Sequence, residues 1–140
     1  MEPTYILFKI EGLHFLIPLN AVIAVEAGGG AKKSPKEVCD FGYLCGLRKQ
    51  RKETEYILLL KAGTEEFRIY ADLVIGIRKI EEDRTKPLKP PLIGEKNKYL
   101  KKAAFLEESE PSIAYVLAAP QVYEKILEQR PAGNAAEKPV

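Results

Sequence analysis

The chain has 140 residues, of which 46% are hydrophobic and 30% charged, with 22 basic side chains against 20 acidic ones. This length and balance predict one globular domain rather than a disordered chain, and a net charge of +2 excludes a global field that would steer the protein to nucleic acid. Because Lys9 ends the first apolar run and no stretch approaches the ~20 apolar residues of a membrane span, we expect a cytoplasmic protein without a signal peptide or membrane insertion.

The N-terminal segment predicts a β-hairpin. In YILFKIEGLHFLIPL, apolar side chains alternate with period two on both sides of Glu11-Gly12, which is typical of two antiparallel strands joined by a short turn. Pro18 marks the end of the second strand or an edge position, since proline offers no N–H to a ladder. The following NAVIAVEA is compatible with a helical turn that runs into another strand, and its periodicity does not separate the two.

The middle of the chain predicts a loop followed by three strands. GGGAKKSPKE reads as a loop by composition, VCDFGYLCG as a short strand that leads into a turn or one helical turn, and LRKQRKETE as a charged connector. Branched and aromatic residues then favour strands at Tyr56–Leu60, Phe67–Ala71 and Val74–Ile80, with a turn at Ala62-Gly63.

The last third predicts a long loop, a second hairpin and a helix. EEDRTKPLKPPLIGEKNKY carries three prolines and many charges, and LKKAAFLEESEPSIAYVLAA reads as two strands around an ESEP tip. After Pro120, QVYEKILEQ repeats apolar residues at i, i+4 and predicts a short helix. We assign residues 1–128 to one domain and residues 129–140 to a flexible C-terminal tail. The class is mostly β, either a sandwich or small barrels.

Residues that could carry enzyme chemistry are sparse. His14 is the only imidazole, so any Ser-His-Asp or Cys-His arrangement must use it as the base, and we predict instead an exposed or half-exposed strand histidine. Cys39 and Cys45 are too few for a structural zinc site and are expected to be reduced, buried thiols. The glycine run 28–30 lacks the lysine-serine ending of a phosphate-binding loop. We therefore expect no catalytic residue, metal or cofactor, and an enzyme using His14 stays a minor alternative.

Two lysine- and arginine-rich stretches favour a different alternative. LRKQRKETEY and EKNKYLKK each place several cations near a tyrosine, and on a small β-barrel such clusters can follow a phosphate backbone while aromatic rings stack on bases. Acidic residues interleave with both stretches, and the chain has no tryptophan. A small β-barrel that binds nucleic acid is therefore the alternative to a protein-binding domain.

Asp72 stands alone between the apolar runs RIYA and LVIGI. It falls where one predicted strand stops and the next begins, so its carboxylate is placed to accept backbone N–H groups one or two residues onward and to fix the bend. No second titratable group lies near it in sequence, and we interpret Asp72 as a structural turn residue.

The order of these features resembles CheW-like domains, the adaptor modules of bacterial chemotaxis signalling. In that family a Val-x-Asp segment ending in glycine precedes a hairpin, and the hairpin ends in an acid followed by a hydrophobic strand. The likeness spans residues 4–128, including both outer hairpins and the closing helix. The residues that match are Val38, Asp40, Phe41, Leu44 and Gly46 in the first part, and Asp72, Val74, Ile75, Ile77 and Ile80 in the second.

The resemblance implies two small SH3-like five-stranded barrels and a non-enzymatic adaptor that binds a CheA-type histidine kinase regulatory domain or another CheW-like module. The family's asparagine-leucine-arginine-glycine stretch is replaced by residues 28–37, so the first barrel is expected to be shortened and the arginine linked to chemoreceptor coupling has no counterpart. We predict that the partner contacts apolar residues beside the Asp72 bend, while alternation leaves part of this strand to the protein's own core. These candidate partner-binding residues are Leu73, Val74, Ile75, Gly76 and Ile77.

Overall fold

The computed structural model describes residues 3–27, 38–47, 49–50, 55–88, 99–106 and 113–137, with side chains as far as residue 128. These ranges contain short 3-10 turns at Leu19–Ala21 and Glu82–Arg84. Their other elements are β1 (Thr4–Ile10), β2 (Leu13–Pro18), β3 (Val22–Ala27), β4 (Val38–Cys39), α1 (Phe41–Leu44), β5 (Tyr56–Ala62), β6 (Glu65–Ala71), β7 (Leu73–Lys79), β8 (Thr85–Pro87), β9 (Leu100–Phe105), β10 (Ile113–Leu117) and α2 (Ala119–Glu137).

The predicted N-terminal hairpin is present. Strands β1 and β2 pair antiparallel from Tyr5–Pro18 to Ile10–Leu13, so the connection is two residues long. Both turn residues have positive φ, 49° at Glu11 and 82° at Gly12. Tight hairpin turns need this backbone conformation because its twist matches the twist of the strands, and glycine adopts it without steric cost.

The strands form two sheets. The larger has the order β7-β1-β2-β10-β9-β8 and the smaller has the order β3-β5-β6-β4. Neighbouring strands are antiparallel except for β2–β10 and β4–β6, which are parallel. The β2–β10 pair joins the two ends of the chain, so the hairpin at the start and the hairpin near the end share one sheet. Such a pairing is invisible to a local reading of the sequence.

The larger sheet is covered on both faces by side chains. From β1, Ile6 and Phe8 belong to the first and largest core cluster, while Tyr5 and Leu7 belong to a second one. The first cluster also takes residues from β5, β6 and α2, and the second is completed by residues of β2, β9 and β10 with Ile80 and Leu106. This placement between two cores explains why β1 is apolar at odd and even positions alike.

Helix α2 closes the first core cluster. It begins at Ala119 with Pro120 in its first turn, where a missing N–H costs nothing. Val122 and Ile126 are buried in the first cluster, as the i, i+4 spacing predicts. Helical backbone continues to Glu137 and so includes residues 129–137, which were assigned to the tail. The flexibility of residues 129–140 stays a prediction.

Part of the predicted long loop is ordered by strand pairing. Residues 85–87 form β8, which pairs with β9 through Thr85–Ala104 and Pro87–Lys102 at the end of the larger sheet. A strand of three residues that ends in proline fits an edge position, because proline does not donate to a ladder. The described residues contain no helix that is both long and apolar enough to cross a bilayer.

Candidate docking surface on strand β7

Strand β7 carries the predicted partner-binding residues and lies at one end of the larger sheet. It pairs with β1 on one side, and no other described strand pairs with its opposite side. Its first five residues, Leu73–Ile77, are all apolar or glycine, a composition typical of strands that are covered on both faces. An edge strand with such a sequence leaves apolar side chains and backbone hydrogen-bonding groups accessible to another chain.

A β-bulge interrupts the ladder in the middle of β7. Leu7 pairs with Gly76 and its neighbour Phe8 pairs with Val74, so Ile75 is the extra residue. Gly76 has a φ of 153°, a conformation that L side chains rarely adopt. The glycine therefore provides the backbone conformation that the bulge requires.

The bulge changes which faces the side chains occupy. Directly paired residues share a face of the sheet, so Val74 and Ile77 lie on the face of the first core cluster with Phe8 and Ile6. Leu73, which pairs with Lys9, lies on the opposite face. A strictly alternating strand would have placed Leu73 and Ile77 on the same face, since the period is two.

Three of the five predicted residues are exposed. Leu73, Ile75 and Ile77 are 40%, 37% and 56% exposed, while Val74 is half-buried against the first core cluster. Apolar side chains of this size, clustered on one strand, mark surfaces used for protein association more often than isolated ones do. Their role in partner binding stays a prediction.

Asp72 connects the bend before β7 to the first hairpin. Its Oδ2 accepts a hydrogen bond from the backbone N–H of Glu11 at 2.7 Å, and its own N–H donates to the Lys9 carbonyl at 2.9 Å. The sequence indicated a local partner one or two residues onward, whereas this contact spans 61 residues of chain. The acid therefore links the β1–β2 turn, with its positive-φ Glu11, to the start of β7.

The other aspartate of the matched pattern, Asp40, starts helix α1. Its Oδ1 accepts the backbone N–H of Tyr43 at 3.1 Å, the usual geometry of a helix N-cap. Phe41, the next residue, is fully buried in the first core cluster. The short helix is thus fixed at its start by a hydrogen bond and beneath by an aromatic anchor.

The structure also contains an apolar groove that the sequence did not reveal. It has a volume of about 570 Å³ and is bordered by α1, β2, β8, β9 and β10. Leu13, Phe105 and Ile113 are exposed along it, and among the described residues that line it Lys86 is the only charged one. The sequence signal that could have indicated the groove is the apolar residues that point outward on the two hairpins. These residues come together only because β2 pairs with β10.

One side of the groove holds the Cys45 thiol and the Tyr99 ring. The two side chains are hydrogen-bonded, and the ring of Tyr99 meets Phe41 edge-on with centroids 5.2 Å apart. Burial raises the pKa of the Cys45 thiol from 9.0 to about 11, and burial also raises the pKa of Tyr99. Cys39 and Cys45 are both reduced and partly buried, and Cys45 is protonated at neutral pH, which does not favour a nucleophilic role.

His14 sits opposite Lys9 on the first hairpin. The histidine is partly buried, as expected for a strand position, and partial burial together with the Lys9 charge lowers its pKa. An imidazole used as a general base is normally oriented by an acid, whereas its cross-strand neighbour here is a cation. This placement gives the His14-based enzyme alternative no support.

The described cations are partly engaged in ion pairs. Lys102 Nζ lies 3.0 Å from Glu82 Oε2, and Arg68 Nε lies 3.0 Å from Glu26 Oε1. Residues 51–54 and 96–98, which supply much of the two basic stretches, lie outside the described residues. The contact of Lys102 with an acid reduces the positive charge that β9 offers to a phosphate backbone.

No family model matches the chain, and no curated protein matches it. Among solved structures, the scaffolding protein TtCheW from Thermoanaerobacter tengcongensis superposes with a TM-score of 0.68, covering 89% of this chain and 94% of that one at 14% sequence identity. The chain has a CheW-like fold. The predicted fold class, mostly β with two small barrels and a C-terminal helix, is therefore confirmed, with the described strands divided six and four between two sheets where barrels of five were predicted.

Within the CheW-like fold, the residues that carried the sequence resemblance have clear structural roles. Asp40 caps α1, Val74 packs against the first core, and Ile80 belongs to the second core cluster. They are residues of turns and cores, which is why a fold can be recognised where overall identity is low. The replaced segment 28–37 lies outside the described residues, so the predicted shortening of the first barrel stays a prediction.

Proposed function

We propose that this chain is a non-enzymatic, cytoplasmic adaptor of a bacterial chemosensory system. Its partner is the regulatory domain of a CheA-type histidine kinase or another CheW-like module. The docking surface is strand β7, with Leu73, Ile75 and Ile77 making the side-chain contacts. Chemoreceptor coupling is not part of the proposal, because the receptor-linked arginine of the family has no counterpart in the sequence.

The observation that carries the proposal is the exposed apolar edge of β7. Docking would bury the exposed side chains of Leu73, Ile75 and Ile77. Each Å² of apolar surface that is buried stabilises a complex by roughly 25 cal/mol. The described edge also offers backbone groups for pairing with an extended segment of a partner. The Asp72 link to the first hairpin fixes the start of the strand, so little order has to be gained on binding.

An adaptor must hold more than one component, and the structure offers two separate apolar surfaces. The groove beside α1 shares no residue with β7, so occupation of one surface leaves the side chains of the other accessible. Its volume lies within the roughly 300–1,000 Å³ typical of binding clefts. This division supports an adaptor over a domain with one binding site.

Nucleic-acid binding has less support. Of the described lysines in the second basic stretch, Lys102 is paired with Glu82, and the exposed aromatic Phe105 borders an apolar groove rather than a cationic track. Binding to single strands would require aromatic rings beside unpaired cations. A steep fall of nucleic-acid affinity with rising salt would favour this alternative.

The test is capture of a CheA-type kinase regulatory domain, encoded in the same genome, by variants of the tagged chain. Ile75→Glu and Ile77→Glu each place a charge on the proposed surface and should reduce capture by more than about tenfold. Ile23→Glu is the matched control, because Ile23 is 43% exposed on β3, the edge strand of the other sheet. Equal capture by all three folded variants would remove β7 from the interface.

A further inference from the structure

We propose that β7 also pairs with β7 of a second copy of this chain, forming a symmetric antiparallel dimer. The inference rests on the proposed function, since it names a partner for the same surface. Its basis is the self-complementary order of charges along the strand. Asp72 precedes the apolar stretch Leu73–Ile77, and Arg78 and Lys79 follow it, so reversing the direction of a second copy brings opposite charges together.

The bulge selects one register for this pairing. Residues that oppose each other across two antiparallel strands must lie on the same face of the joined sheet. A two-fold axis through Ile75 would place Leu73 opposite Ile77, which lie on different faces. An axis between Ile75 and Gly76 places Val74 opposite Ile77 of the second copy, and both of these lie on the face of the first core cluster.

The same register matches shape at the centre of the pair. Ile75 of each copy falls opposite Gly76 of the other, so a large exposed side chain meets a position that has none. In the free chain, the Arg78 guanidinium lies 3.2 Å from the place that a Cβ on Gly76 would occupy, and it donates to the Ile77 carbonyl at 2.9 Å. This side chain must swing aside on pairing, which its exposed hydrogen bond allows at small cost.

The ends of the register carry the charge complementarity. Asp72 of each copy falls opposite Lys79 of the other, and symmetry makes this contact twice. A carboxylate has lone pairs for several donors, so the Asp72 contact with the Glu11 N–H is compatible with a second one from a lysine. Opposite charges across a strand pair stabilise it, and like charges destabilise it. A parallel pair in register would place Asp72 beside Asp72 and Lys79 beside Lys79, so the charges favour the antiparallel pair.

Cross-linking tests the register directly. In the double variant Val74→Cys, Ile77→Cys, each new thiol of one copy faces one of the other at the Cα separation that a disulfide needs, so mild oxidation should give a covalent dimer. The control variant Leu73→Cys, Ile77→Cys has its thiols on different faces and should cross-link at least about tenfold more slowly. The wild-type chain is oxidised in parallel, and its cross-linking measures the contribution of the native thiols of Cys39 and Cys45.

A non-covalent measurement completes the test. Light scattering across the micromolar to millimolar range should show a monomer–dimer equilibrium, weakened about tenfold by Lys79→Glu and unchanged by Lys101→Glu, which alters an exposed lysine on β9. Equal cross-linking of both double variants, or a monomer throughout the range, overturns self-pairing. Kinase capture by that monomer leaves the proposed function standing, whereas a dimer that captures no kinase overturns the function and leaves the pairing.

Discussion

At the residue scale, the two acids that the sequence singled out both accept hydrogen bonds from backbone N–H groups where secondary-structure elements begin. Asp40 was found by its place in a Val-x-Asp pattern and caps α1. Asp72 lies immediately before β7, and its carboxylate accepts the N–H of Glu11 from the first hairpin rather than a local N–H, so its role as a turn residue stays a prediction. A sequence reveals a local hydrogen bond from spacing alone, whereas a contact across 61 residues depends on the tertiary fold.

Replacing Asp72 tests its link to the hairpin. Asp72→Ala leaves the N–H of Glu11 without this acceptor and should lower the free energy of unfolding by about 1–2 kcal/mol in urea denaturation. Asp72→Asn retains an acceptor oxygen and should cost less. Asp83→Ala, at an exposed acid beside β8, is the control and should change stability by less than about 0.5 kcal/mol. Equal effects of the two alanine variants would show that the Asp72 contact contributes nothing.

The buried thiol predicts an alkaline limit to stability. The folded pKa of Cys45, about 11, lies above its unfolded value of 9.0, so the folded state holds this proton more tightly. The resulting stabilisation is complete below pH 9.0 and is lost as the pH rises towards about 11. Urea denaturation over this range should show a smaller loss in Cys45→Ser than in wild type. Identical slopes in Cys45→Ser and wild type would contradict the assignment.

At the element scale, local sequence patterns predicted the hairpins, but they did not predict the edge strand β8 or the bulge in the edge strand β7. The period-two alternation around Glu11-Gly12 and the i, i+4 pairs after Pro120 are local signals, and both elements formed as predicted. The β8 strand and the parallel β2–β10 pair depend on distant partners, so composition alone marked β8 as loop. The bulge in β7 was also missed, because Gly76 is equally compatible with a close backbone approach.

Helix α2 offers an element-scale test with adjacent residues. Ile126 is 4% exposed in the first core cluster, whereas its neighbour Leu127 is 36% exposed. Ile126→Ala should lower the free energy of unfolding by about 2–4 kcal/mol, since it leaves a cavity in the core. Leu127→Ala should cost under about 1 kcal/mol by the same measurement. Similar losses for both variants would contradict the docking of α2 against the sheets.

At the scale of the whole molecule, the described apolar residues form three buried clusters, and others are exposed on β7 and along the groove. Three of the five β7 residues that the sequence singled out are exposed, and their use for docking stays a prediction. The sequence did not locate the groove, which exists only where β2, β9 and β10 come together. The fold class was predictable because core and turn residues repeat a recognisable order, while a surface assembled from distant strands leaves no local trace in the sequence.

The most direct test of the adaptor account is a residue-by-residue map of where the kinase regulatory domain binds. Amide chemical shifts of the isotope-labelled chain, followed during titration with that domain, report on each described strand separately. The account predicts that the largest shift changes fall on Leu73–Lys79 and on the β1 residues that pair with them. Changes confined to the groove or to the β3 edge, with β7 unaffected, would contradict it.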